Sequence, residues 1–171
     1  MTKTAFAVPL SVAASFEQRR MDEFMRKFWT ENGLHLSWAI ALVAMLGGLY
    51  FSEVKGYLPC KLCWYQRILM YPQVFLIGIA AVRRQLDVYR YVLPMTILGA
   101  CISTYHYLME KTDWIPSNSF SCGMVPCDLE YINWFGFVTI PFLALTAFVL
   151  ITIIHIALWR ADRNRGMYSF R

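Results

Sequence analysis

Charge is nearly missing from the long apolar stretches of this chain. Lys and Arg stand at their edges and seldom interrupt them, while 58% of the 171 residues are hydrophobic and 16% aromatic. A water-soluble fold of this size could not bury so much apolar surface without leaving large patches exposed. A small soluble domain is therefore excluded, and lipid becomes the solvent for much of the chain. The formal net charge is +5, but the aromatic-interleaved basic stripe of nucleic-acid modules is missing, which excludes that class of partner. A cleavable signal is missing too. Leu10 to Ala14 is too short an apolar core, and the highly charged "EQRRMDEFMRK" follows at once. Residues 1–33 are expected to be a cytoplasmic lead-in. They form either an amphipathic helix with Phe16, Met21, Phe24, Met25 and Phe28 toward the headgroups, or a loosely ordered tail.

What is present are four apolar runs, and the spans are expected at about 34–52, 64–82, 91–109 and 135–159. At 1.5 Å per residue, each can cross a hydrocarbon core of about 30 Å as a helix. Trp38 and Tyr50 are placed as interfacial aromatics of the first run. Pro72 falls mid-span in the second and is expected to kink it, a break that neighbouring helices can satisfy in a membrane. Pro94 and Pro141 lie nearer helix ends. The fold class is all-α integral membrane: a four-transmembrane-helix bundle over residues 34–160, with a cytoplasmic tail at 161–171. Five of the 16 Lys and Arg precede the first span, three lie between the second and third, and four follow the fourth. These twelve set the orientation. Both termini face the cytoplasm, and the loops near 53–63 and 110–134 face outward.

Those two outer loops carry four of the five cysteines: Cys60 and Cys63 in "LPCKLCWYQR", Cys122 and Cys127 in "SCGMVPC". All four thus fall on the oxidising face, where disulfides persist. Of the three possible pairings, 60 with 63 and 122 with 127 is the simplest. Cys101, within the third span, reads as packing. Two plain readings compete with redox chemistry. A four-thiolate zinc site is opposed by the two spans between the pairs, by the lack of a compact ribbon around either, and by the oxidising compartment. Structural stapling is opposed by the small rings, which remove little unfolded-state entropy. Small or strained disulfides belong instead to the labile, exchanging class. No βαβ pattern surrounds the CxxC, so a thioredoxin fold is excluded. Cys63 stands at the first turn of the second span, where free amides and the helix dipole favour a thiolate. Arg67 is one turn deeper on the same face. It reads either as a headgroup anchor or, favoured by the adjacent CxxC, as a cation near the thiolate and a bound electron acceptor.

Four spans, "PCKLCWYQR" opening the second, and a cysteine pair between the third and fourth resemble the DsbB/BdbC family of membrane disulfide-generating proteins. The resemblance covers roughly residues 34–160. It implies a thiol:quinone oxidoreductase in the bacterial cytoplasmic membrane that reoxidises a thioredoxin-like extracytoplasmic thiol oxidase (DsbA/BdbD-like). Electrons pass on to ubiquinone or menaquinone, and no metal is required. Carried over by position, Cys122 and Cys127 match the pair that exchanges with the partner, and Cys60 and Cys63 the pair next to quinone. Arg67 matches the quinone-proximal arginine. His106 in "STYHYLME" matches a histidine near the outer end of the third helix, with a satisfied bundle histidine as the plain alternative. The chain departs from the enterobacterial type in two ways. Only four residues separate Cys122 from Cys127, which is at odds with a large swinging loop. Gln66 replaces a glutamate within the quinone-side cluster. The relay so implied ends with Cys63 as the thiolate beside quinone. Rival readings are a VKOR-like redox protein, whose CxxC lies near the fourth span, and a non-enzymatic four-span scaffold braced by disulfides or zinc.

Overall fold

The computed structural model describes residues 10–112, 125, 127, 131–133 and 135–168. Helix α1 (Leu10–Leu49) passes through a five-residue π-helical turn, Tyr50–Val54, into the first connection. Helix α2 (Lys61–Arg83) follows, then a 3₁₀ turn (Leu86–Val88), α3 (Tyr89–Lys111) and, after a longer connection, α4 (Ile140–Tyr168). The lead-in and the first span share one helix, since neither proline nor glycine interrupts 10–32. Met21, Phe24 and Phe28 on that lead-in are exposed.

Among the described residues, four stretches are long and apolar enough to cross a membrane: Asn32–Val54, Lys61–Arg83, Leu86–Lys111 and Ile140–Arg163. Only 17% to 39% of each span's most apolar window is buried inside the protein. The remaining faces carry side chains such as Val43, Phe75 and Val82, each at least two-thirds exposed. Surface of this kind requires lipid, and the chain is a multi-pass membrane protein. Pro72 and Pro94 both lie inside helices and both face outward. Pro141 occupies the second position of α4, where its missing N–H has no partner to lose.

Each helix packs on its chain neighbours, and α4 closes the ring against α1. The diagonal pair α2 and α4 barely meet, and this leaves room inside the bundle. The deepest core is Phe148, Ile151 and Leu158 of α4 against Ile77 of α2, Val92 of α3 and Ala41 of α1. Without a hydrophobic drive between helices in lipid, close approach depends on small residues. Gly99 shows why: a Cβ there would sit 2.4 Å from the Phe148 ring. The up-and-down course brings the connection after α1 and the connection after α3 to the same end of the bundle.

Gly99→Ala is expected to lower resistance to denaturation in detergent by about 1–3 kcal/mol, through the displaced Phe148 ring. Gly47→Ala, whose added carbon meets nothing within 4 Å, should lose nothing. Equal losses in the two variants would show that the α3–α4 approach is not set at Gly99.

Candidate redox site

The CxxC motif is the start of α2. Cys60 is the N-cap, with φ −70° and ψ 172°, and its Sγ accepts the backbone N–H of Cys63 at 3.3 Å. This is the bond a serine or threonine cap makes to the third helical residue. Cap and third position lie side by side at a helix start, and so the two sulfurs are 3.0 Å apart. A CxxC spacing at this place therefore does two things: it caps the helix and it sets two thiols within reach of one disulfide.

The two sulfurs face different surroundings. Cys60 is buried with Leu62, Met109 and Cys127. His106, from α3, brings its Nε2 to 3.7 Å from Cys60 Sγ and 3.3 Å from the Cys127 carbonyl oxygen. Its Nδ1 lies 3.2 Å from the Gln66 amide nitrogen. With Gln66 donating to Nδ1, the imidazole carries its proton on Nε2 and directs it toward the sulfur and the carbonyl. The ligating atoms of Cys60, His106 and Cys127 all lie within 4.8 Å of one another, and all three residues are buried. Cys60 is held well below the usual thiol range, to about 4. The hydrogen bond from the Cys63 thiol is the principal cause; His106 and the Cys63 amide add to it, and burial opposes it. In the reduced pair the cap, Cys60, thus has the donors that favour an anionic sulfur, whereas the sequence pointed to Cys63. The cap position collects the free amides at the helix start.

Cys63 faces the other way. With Arg67, Met70 and Tyr71 it lines a cavity of about 650 Å³ between α2, α1 and α4, where the diagonal helices stand apart. Gly47 and Gly48 line the α1 side with bare backbone, and Ala144 and Ala147 the α4 side. Arg67 donates from Nη2 to the Gly48 carbonyl at 2.9 Å, and its guanidinium lies 5.5 Å from the Trp64 ring centre. It is therefore turned into the bundle instead of out to headgroups. The Tyr71 hydroxyl is buried and has no hydrogen-bond partner. Tyr57 and Tyr131 stack at 4.7 Å over the loop end of the cavity, and the Tyr131 hydroxyl donates to the Leu58 carbonyl at 3.3 Å.

Of the residues that the sequence singled out, Cys60, Cys63, Gln66, Arg67, His106 and Cys127 come together. Gln66 touches both the cavity and His106. His106 is not part of the cavity wall, and it stands on the sulfur side. Cys122, and with it the 122–127 pairing, lies outside the described residues. Cys101 is on the exposed face of α3, away from the cluster. Sequence reasoning missed Tyr71, Tyr131 and the Gly47–Gly48 pair. Tyr71 was within reach, being one turn beyond Arg67 on the same face.

A family profile described as disulfide bond formation protein DsbB matches residues 31–160. The chain is 53% identical over 131 residues to disulfide bond formation protein C of Bacillus subtilis, covering 77% of this chain and 94% of the relative. It is 53% identical over 123 residues to the probable disulfide formation protein C of Halalkalibacterium halodurans, covering 72% and 90%. Against a probable disulfide formation protein of Coxiella burnetii it is 41% identical over 122 residues, covering 70% and 82%. No solved structure matches.

In the fully reduced protein, alkylation of Cys60 is expected to vary by no more than about twofold between pH 8 and pH 6, because its thiolate persists. An ordinary thiol, with a pKa of about 8.5, would slow tenfold per pH unit over that range. Cys63→Ala removes the principal donor and should move the fall-off to higher pH. Mass-spectrometric rates at each cysteine decide it; a wild-type profile that tracks an ordinary thiol would refute the assignment.

Proposed function

The chain belongs to the DsbB family of disulfide bond formation proteins, and on that premise we propose that it is a thiol:quinone oxidoreductase serving an extracytoplasmic, thioredoxin-like thiol oxidase. The observation that carries this reading is the two-sided CxxC pair. One sulfur abuts the cysteine of the second loop, and the other abuts an apolar cavity. The clustering of Lys and Arg on the opposite side supports placing both loops outside a bacterial cytoplasmic membrane.

The thiol chemistry balances as two exchanges. A thiolate of the reduced partner attacks the Cys122–Cys127 disulfide, forming a mixed disulfide and releasing one thiolate. The partner's second thiol resolves it, so the partner leaves oxidised and Cys122 and Cys127 are reduced. Cys127 then attacks Cys60, its neighbour within 4.8 Å, and expels Cys63 as thiolate; Cys122 resolves the resulting Cys60–Cys127 bond. The Nε2–H of His106 stabilises charge on the Cys60 sulfur throughout.

The cavity beside Cys63 suits a quinone. Its volume is in the range of small-molecule sites, and its wall is mainly aliphatic and aromatic with few polar groups. A quinone held beside Cys63 would supply the terminal acceptor for the two electrons and two protons released when Cys60 and Cys63 regain their disulfide. Arg67 offers a fixed cation at this wall, and Tyr71 offers a buried hydroxyl in want of an acceptor. A carbonyl oxygen would satisfy both. The open side toward lipid suits an isoprenoid tail of either the ubiquinone or the menaquinone type.

Purified protein supplied with a reduced thioredoxin-like oxidase and a soluble quinone analogue tests this directly. Wild type should reduce quinone, and Cys122→Ser should abolish turnover. Arg67→Ala should raise the apparent KM for quinone by about 10-fold or more, the scale of a lost charged hydrogen bond. Tyr71→Phe should raise it less, by about 3- to 10-fold. An unchanged KM in both variants would remove the quinone from this cavity.

A further inference from the structure

We propose that Cys60, Cys127 and His106 form a three-ligand site for a soft divalent cation of the zinc or cadmium type in the fully reduced protein. Metal binding and disulfide exchange then exclude each other. The argument is independent of the quinone reading.

Three separate elements deliver the ligands: the cap of α2, the body of α3 and the connection before α4. In sequence, two spans divide the cysteine pairs, which counts against a shared metal; in the folded chain that division is gone. A tetrahedral ion with bonds of about 2.0–2.3 Å holds its ligand atoms about 3.6–3.8 Å apart. Cys60 Sγ and His106 Nε2 are already 3.7 Å apart. Cys127 needs to close from no more than 4.8 Å. The donor set of thiolates and an imidazole selects zinc or cadmium over magnesium or calcium, and burial removes competing water.

Gln66 completes the site. Metal at Nε2 requires the proton of His106 to sit on Nδ1, where it needs an acceptor. The Gln66 side chain is within hydrogen-bond distance of Nδ1, and an amide can turn to present its oxygen instead of its nitrogen. One residue thus serves both states: donor to the exchanging imidazole, acceptor to the metal-bound one.

The redox condition follows from the chemistry of the ligands. A sulfur held in a disulfide offers no thiolate, so the full donor set exists only when both pairs are reduced. That state accumulates when electrons enter and no acceptor removes them. An ion held there keeps Cys60 and Cys127 apart from each other and from oxidants until it is withdrawn.

The test is a cadmium titration of the detergent-solubilised full chain, reduced with a phosphine under anaerobic conditions and followed by the sulfur-to-cadmium charge-transfer band. The proposal expects one cadmium per chain in the reduced protein and no band in the oxidised protein. It expects binding weakened by about 10-fold or more in Cys127→Ser and in His106→Ala, and unchanged binding in Cys101→Ser. Far-ultraviolet dichroism confirms that each variant is folded; the oxidised-versus-reduced comparison needs no variant. Cadmium should also slow reoxidation of the reduced wild type by an added disulfide, and a chelator should restore the rate. No band in reduced wild type would overturn the proposal. So would equal affinity in the folded Cys127→Ser and His106→Ala variants, which would place the ion on the CxxC pair alone.

Discussion

The hydrogen bond from the Cys63 amide to the Cys60 sulfur is the contact on which the site is organised. It makes Cys60 the cap of α2 and stabilises an anionic sulfur where the helix has unpaired donors. It also fixes which way each thiol looks. A cap side chain lies outside the helix cylinder and meets the second loop; a third-position side chain lies on the helix surface and meets whatever α2 faces. Here α2 faces a cavity, because its diagonal neighbour α4 stands away from it. One hydrogen bond thereby separates a side facing Cys127 from a side facing the cavity, across two sulfurs 3.0 Å apart.

The bundle serves this division by what it omits. Gly47 and Gly48 give α1 a stretch of bare backbone on the cavity wall, Gly48 beside Arg67 and Tyr71, and Ala144 and Ala147 present only methyl groups from α4. Further down, Phe148 fills the centre against Gly99 and closes the bundle below the cavity. Small residues near the loop end and a large one in the middle give a chamber with a floor. The loop end is roofed by the Tyr57–Tyr131 stack, in which each of the two connections contributes a ring. The family to which the chain belongs supplies the activity class, and these features show how this chain's own residues are arranged to carry it out.

Much of this was legible in the sequence, for physical reasons. A span must be long and apolar, so hydropathy located the four candidate spans to within a few residues, while the helix that holds the first span runs back to Leu10. Cys60, Cys63 and Arg67 share one short segment with helical spacing, so their mutual placement followed from 3.6 residues per turn. What did not follow was anything set by backbone angles at one residue or by contacts between distant segments. The sequence put the helix-start donors at Cys63; the extended cap conformation of Cys60 turns the Cys63 amide onto the other sulfur. His106 was legible as a functional candidate, yet its position against Cys60 and Cys127 depends on how α3 docks on α2. Of the grounds against a shared metal, the two intervening spans do not keep Cys60 and Cys127 apart, since separation along the chain is not separation in space. Tyr71 shares the face of Arg67 by helical spacing, but that its hydroxyl is buried and lacks a partner is visible only in the folded chain.

The central claim is that Cys60, and not Cys63, receives the exchange from the second loop. Disulfide mapping of two double variants tests it most directly. Cys63→Ser with Cys122→Ser leaves Cys60 and Cys127 as the candidate pair; Cys60→Ser with Cys122→Ser leaves Cys63 and Cys127. After mild oxidation and proteolysis, mass spectrometry should find the Cys60–Cys127 bond in high yield in the first variant. It should find little or no Cys63–Cys127 bond in the second. Equal yields, or a higher yield of the Cys63–Cys127 bond, would contradict the two-sided arrangement.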